Sequence, residues 1–206
     1  MGGAWLELYQ ASFDPQCLAR ARALALYTTK EFSAEDGSFY DTANSAETLL
    51  VRPRESYDGA QPSGNALAAN FLIRLGRLVG DEALVRAGEA VVRAFMPRLT
   101  HDPAARPEMA QALWMLTHPP MEIGVAGDPS SPDTHALLHE IRRRFIPAAQ
   151  LALRPHEVAA RAAACSQIPA LEAQHPPGTA AWVFVCADYA CQMPVNSASA
   201  LAALLA

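Results

Sequence analysis

Apolar positions fall first into helical spacing and then, past the middle of the chain, into short alternating runs. Trp5, Leu6, Leu8 and Tyr9 crowd the segment 4–12, which reads as the last turns of a helix. Asp14-Pro15 is an N-cap followed by proline at the first helical position, and Cys17, Leu18, Ala21, Leu24, Ala25 and Thr28 continue at helical spacing to about Phe32. Glu35-Asp36-Gly37 ends that helix. Ser38–Thr42 alternates as a strand does, with Phe39 and Asp41 on one face and Tyr40 on the other, and Leu49–Val51 is its candidate hairpin partner. Pro62-Ser63 then opens a helix to about Val79, apolar over most of its circumference and interrupted only by Asn70, Arg74 and Arg77. Such a helix belongs inside.

Gly80 closes that helix. Asp81 caps the next, which carries Leu84, Val91 and Phe95 and which Pro97 is expected to end or nearly end. Pro107-Glu108 starts a shorter helix, stopped at His118-Pro119-Pro120. Beyond Pro120 the texture changes. Met121–Asp128 reads as a strand, Asp133 to about Phe145 as a helix, Gln150–Leu153 and Trp182–Cys186 as strands, and Leu201–Leu205 as helix. The expected architecture is mainly α: helical hairpins over residues 1–119, interrupted by a polar loop at 36–65, then a small α/β appendage over 120–206.

The loop holds the candidate chemistry. Asp41 and Asp58 flank it, and paired carboxylates can serve as general acid and base on a glycosidic bond if folding sets them several ångströms apart. The alternative is local: Asp41 holding backbone, Asp58 making an Asx-turn with Gly59. Gln61, Ser63 and Asn65 can bind sugar hydroxyls, or Ser63 can cap the following helix while Asn65 holds the loop. Phe39 and Tyr57 can stack on a sugar ring or simply pack. Arg52 and Arg54 can pair with Glu47, Glu55 or an anionic ligand.

Composition narrows the field. In 206 residues, 16 Lys+Arg against 21 Asp+Glu gives a net charge of −5, which argues against nucleic acid. No run is long enough to span a bilayer and no signal-peptide pattern follows Met1, so a soluble cytoplasmic protein is expected. Cys186 and Cys191 have the C-x4-C spacing, which is neither a redox dithiol nor a zinc knuckle, and two reduced thiols are the expectation there. His135 and His139 lie four apart on a helix without a third ligand. No metal and no cofactor are expected.

FYDTA at 39–43, the run LLVRPRESYDGAQPSGNALAANFLIRLGRLVGD at 49–81, and the later MEIGVAGDP and VFVCADYACQMPV resemble, in the same order, the C-terminal part of the YyaL / spermatogenesis-associated protein 20 family. That resemblance implies the six-hairpin glycosidase type of α/α toroid for the helical region, here partial. The family's N-terminal thioredoxin-like domain and the first part of its toroid have no counterpart, and the chain contains no Cys-x-x-Cys. Three functions follow as expectations. The first is carbohydrate binding or processing through residues 39–65, glycosidase- or epimerase-like if catalytic, with activity not expected of this chain alone. The second is a non-catalytic interaction module that docks onto the missing toroid half or self-associates. The third, and weakest, is a redox role by association with the thioredoxin-like domain.

Overall fold

In a computed structural model, residues 1–147, 149–188 and 190–205 are described, and they form two compact units. The first comprises residues 1–9, 16–77 and 81–118; the second comprises 10–15, 78–80 and 119–206. The fold is mainly α with a small α/β part, as the hydrophobic spacing predicts.

The first unit is built from α1 (Gly2–Ser12), α2 (Pro15–Glu31), α3 (Gly64–Val79), α4 (Glu82–His101) and α5 (Pro107–Thr117). Leu72, Ile73 and Leu75 of α3 are fully buried, as its nearly uninterrupted apolar surface requires. Asp81 caps α4, its carboxylate accepting from the N–H groups of Ala83 (3.0 Å) and Leu84 (3.3 Å). Helices α3 and α4 meet closely at Gly88, where a Cβ would lie 2.9 Å from the Ala69 carbonyl oxygen. Pro97 stands near the end of α4 without ending it, and the helix runs one turn further to His101. Proline removes one backbone hydrogen bond, and the turn beyond it is retained because Leu99 is buried and the Asp102 N–H closes on the Arg98 carbonyl at 3.1 Å.

The second unit is a four-stranded mixed sheet in the order β2-β1-β3-β4, from β1 (Met121–Ala126), β2 (Ala149–Arg154), β3 (Trp182–Ala187) and β4 (Ala190–Cys191). The β1 and β2 strands are parallel, with Ile123 opposite Leu151, and α6 (Pro132–Arg142) connects them; β3 lies antiparallel on the other side of β1. The α6 helix stops at Arg142, short of the Phe145 expected from its pattern. Ile123, Val125, Leu151, Leu153, Val183 and Val185 face one way and pack with Leu137 and Ile141 of α6 and Leu201 of α8 (Ala198–Leu204). The opposite face is covered by α7 (Val158–Gln167) and the 3₁₀ turn Pro169–Ala173. Among the described residues no helix is long and apolar enough to cross a membrane.

Candidate functional site

In the first unit the segment after α2 turns back on itself. Ser33 and Phe39 form an isolated bridge, and the Asp41 N–H donates to the Pro53 carbonyl at 2.9 Å. The expected hairpin between 38–42 and 49–51 is not formed, and Leu50 and Val51 are exposed. Scattered backbone bonds, such as Tyr40 N–H to the Phe32 carbonyl (2.8 Å) and Asp58 N–H to the Ala105 carbonyl (2.9 Å), are joined by side chains in holding residues 38–58. The Asn65 amide, 1% exposed, accepts from the Phe39 N–H (2.8 Å) and donates to the carbonyls of Phe39 (2.9 Å) and Glu55 (3.0 Å). A single buried amide therefore does the work of a missing strand ladder.

Asp58 is a second anchor. One carboxylate oxygen accepts from the Ser63 N–H at 2.7 Å, and the other accepts from the Glu108 N–H at 2.9 Å, in the first turn of α5. The Ser63 hydroxyl accepts from the Ala66 N–H at 3.2 Å in the first turn of α3. Glu55 accepts from the N–H groups of Tyr57 and Ser56, and these bonds hold its carboxyl below the usual range. The Arg52 guanidinium bonds Asn44 and the Thr42 carbonyl, and lies 3.9 Å from the Tyr40 ring centroid. Arg54 pairs with Asp36 at 2.6 Å rather than with Glu47 or Glu55. Burial opposes ionisation of Asp36, but the Ser38 hydroxyl and N–H together with Arg54 outweigh it and lower its pKa.

These restraints set one wall of a cavity of about 580 Å³. Phe39, Tyr40 and Asp41 line it together with Asn65, Leu67, Ala68 and Phe71 of α3. Leu24 and Thr28 of α2, Phe32 and the start of α1 form the other side of this half-open cavity. Gly2 is required there, since a Cβ would sit 2.5 Å from the Phe71 ring. Strand alternation places Tyr40 opposite Phe39 and Asp41, but all three reach the cavity: the segment is an irregular bridge, so period two does not apply. Asp41 is exposed at the cavity. Asp58, Ser63, Gln61 and Tyr57 do not line it; Gln61 and Tyr57 are exposed, and Asp58 and Ser63 hold backbone.

Two groups that sequence reasoning passed over sit behind this loop. Asn70 donates to the Ala66 carbonyl (3.1 Å) and to the carbonyl and carboxylate of Glu108 (both 2.8 Å). Its own amide oxygen is buried with no partner among the described residues. Burial first, and then the charge of Asp58, raise the Glu108 pKa above its ordinary value, against the pull of Arg74 and Asn70. The only signal in the sequence was a polar residue interrupting an apolar helix.

In the second unit, Cys186 and Cys191 are joined by a disulfide, which corrects the expectation of two thiols. The pair lies directly across β3 and β4, a register that C-x4-C spacing alone does not reveal. Tyr189, between them, lies outside the described residues. His135 and His139 are exposed, His135 bonding the Pro129 carbonyl, and no group of three or more metal-ligating side chains is assembled among the described residues.

An aromatic-walled cavity on a helical scaffold, ordered by polar staples, is thus the candidate site of the first unit. No family model matches the chain. It is 32% identical over 205 residues to the spermatogenesis-associated protein 20 of Rattus norvegicus and 30% identical to that of Homo sapiens, in each case over 97% of this chain and 25% of the relative. The chain is thus homologous to the spermatogenesis-associated protein 20 family over nearly all of its length, and it spans about a quarter of the length of those relatives.

Proposed function

We propose that the first-unit cavity binds a carbohydrate. The observation that carries this reading is the convergence of Phe39, Tyr40 and Asp41 on one cavity of about 580 Å³. Aromatic rings present flat faces to the apolar side of a sugar, and a carboxylate accepts from its hydroxyls. The commitment of both Asp58 oxygens to backbone N–H groups favours binding over an acid–base pair. Calorimetric titration with a panel of mono- and oligosaccharides tests it. Asp41→Asn should weaken the binding sugar roughly tenfold, the size of one charge-assisted hydrogen bond. Absence of heat with every sugar of the panel would remove the proposal. A cytoplasmic setting is part of the same proposal, checked by cell fractionation.

A second reading rests on a separate observation. Leu26 (63% exposed), Tyr27 (50%), Leu67 (48%) and Val51 (77%) of the first unit are open to solvent. Together with the quarter-length match, this supports an interaction module that docks onto the remainder of a toroid or onto a second copy. Light scattering with an apolar-surface dye decides: a monomer with low dye binding rejects it.

A further inference from the structure

The Cys186–Cys191 disulfide does little that its hairpin does not already do. Its two cysteines are five positions apart in sequence, so it constrains the unfolded chain little. The Gln192 N–H already bonds the Val185 carbonyl at 2.9 Å on the inner side of the pair, and Ala187 pairs with Ala190 on the outer side. That pattern makes Cys186 and Cys191 a non-hydrogen-bonded pair, the closer kind, with Cα atoms 3.9 Å apart. They meet again easily after reduction.

Access is unequal. Cys191 lies on an exposed two-residue strand and Cys186 is half-buried, whereas Cys17 and Cys165, which form no disulfide, are both buried. Burial also pushes the Cys165 thiol up, away from the reactive thiolate. Thiol chemistry in the folded chain is therefore concentrated at one hairpin.

We propose that Cys186–Cys191 is a thiol–disulfide exchange site whose co-substrate is a dithiol. A thiolate of the dithiol attacks the exposed Cys191 Sγ. The S–S bond breaks with its electron pair going to Cys186 Sγ, which takes up a proton. The second thiolate of the co-substrate then attacks its own sulfur in the mixed disulfide and releases Cys191. The net change is two-electron oxidation of the dithiol to a disulfide and reduction of the protein pair to two thiols.

The test is mass mapping of the folded, oxidised chain after dithiothreitol, with thiols trapped by N-ethylmaleimide. Adducts are expected at Cys186 and Cys191, with Cys17 and Cys165 blocked only after denaturant is added. Reduced glutathione, a monothiol, should give little net reduction, because the adjacent Cys186 thiolate attacks the mixed disulfide on Cys191 and expels the glutathione. In single variants, the Cys191 thiol of Cys186→Ser should alkylate roughly tenfold faster than the Cys186 thiol of Cys191→Ser. If a variant fails to fold, the wild-type map decides alone. Reduction only in denaturant, or a pair that stays reduced under oxidised glutathione, overturns the proposal.

Discussion

The two units solve the same problem, satisfying buried backbone, by different means. The second unit does so with a ladder in which every residue of β1 is paired on both sides. The first does so, around its cavity, with side chains that reach across sequence: Asn65 to Phe39 and Glu55, Asp58 to Glu108, Arg52 to Thr42. A ladder spreads its stability over many equivalent bonds. A set of staples concentrates it in a few residues, and those same residues set the shape of the pocket. Perturbation should therefore be local and graded in the second unit, and abrupt in the first.

The sharpest way to break that contrast is Asn65→Ala against Val183→Ala. The first strands the Phe39 N–H and two carbonyls in a buried setting and should cost about 3 kcal/mol with loss of ligand binding. The second leaves a small cavity in the sheet core and should cost about 2 kcal/mol with binding intact. Denaturant titration with parallel calorimetry reads both. If Asn65→Ala kept full affinity, the stapled-loop account would be wrong.

Glycine replacement gives the next largest effect. Gly88→Ala drives a methyl against the fixed Ala69 carbonyl and should cost about 2–3 kcal/mol. Gly124→Ala in β1 meets only the far end of the Gln174 side chain, which can move, so about 1 kcal/mol is expected and Gln174→Ala should suppress it. A cost for Gly124→Ala that survives the second substitution would place the constraint in the sheet itself.

Asp58→Asn retains one acceptor for the two N–H groups it serves and should lose about 1 kcal/mol. It should also bring the Glu108 pKa down toward its ordinary 4.5, followed by carboxyl NMR, since the Asp58 charge is one of the two causes of the rise. The smallest effect is on pH dependence. With Glu108 raised, the unfolded chain releases its proton first, so Glu108's contribution to stability falls as pH rises from 4.5 through the folded value. Asp36 and Glu55, both lowered, act oppositely: their contribution is present above 3.8 and 4.5 and is lost as pH falls through their folded values. Glu108→Gln should flatten only the first trend, and modestly, because solvent screens the site. An unchanged trend would assign it to another group.

Much of the scaffold was legible because local pattern determines it. The apolar circumference of α3, the Asp81 cap and the β1 and β3 runs need no knowledge of distant residues. The cavity wall was only half legible. Phe39, Asp41 and Asn65 could be singled out as polar or aromatic residues around a helix start, but the bond between Asn65 and Phe39 spans 26 positions and leaves no periodic trace. Alternation puts Tyr40 on the opposite face because it presumes a regular strand, and this segment is not one. Proline alone marks a helix end near position 97, and the burial of Leu99 that carries the helix one turn further is a tertiary fact. The disulfide needed the hairpin register, and Glu108 looked like an ordinary first-turn acid until burial and Asp58 were seen beside it.

Gly2 carries a consequence of another kind. The Phe71 ring occupies the space that any side chain at position 2 would need, so the close contact of α1 with α3 shapes the cavity there, while its polar lining comes from Asp41 and Asn65. The packing of the cavity and its polar lining are thereby set by separate parts of the chain. A methyl at position 2 would have to displace the Phe71 ring, so the substitution acts on the cavity through α3 and leaves the Asn65 staple outside the clash.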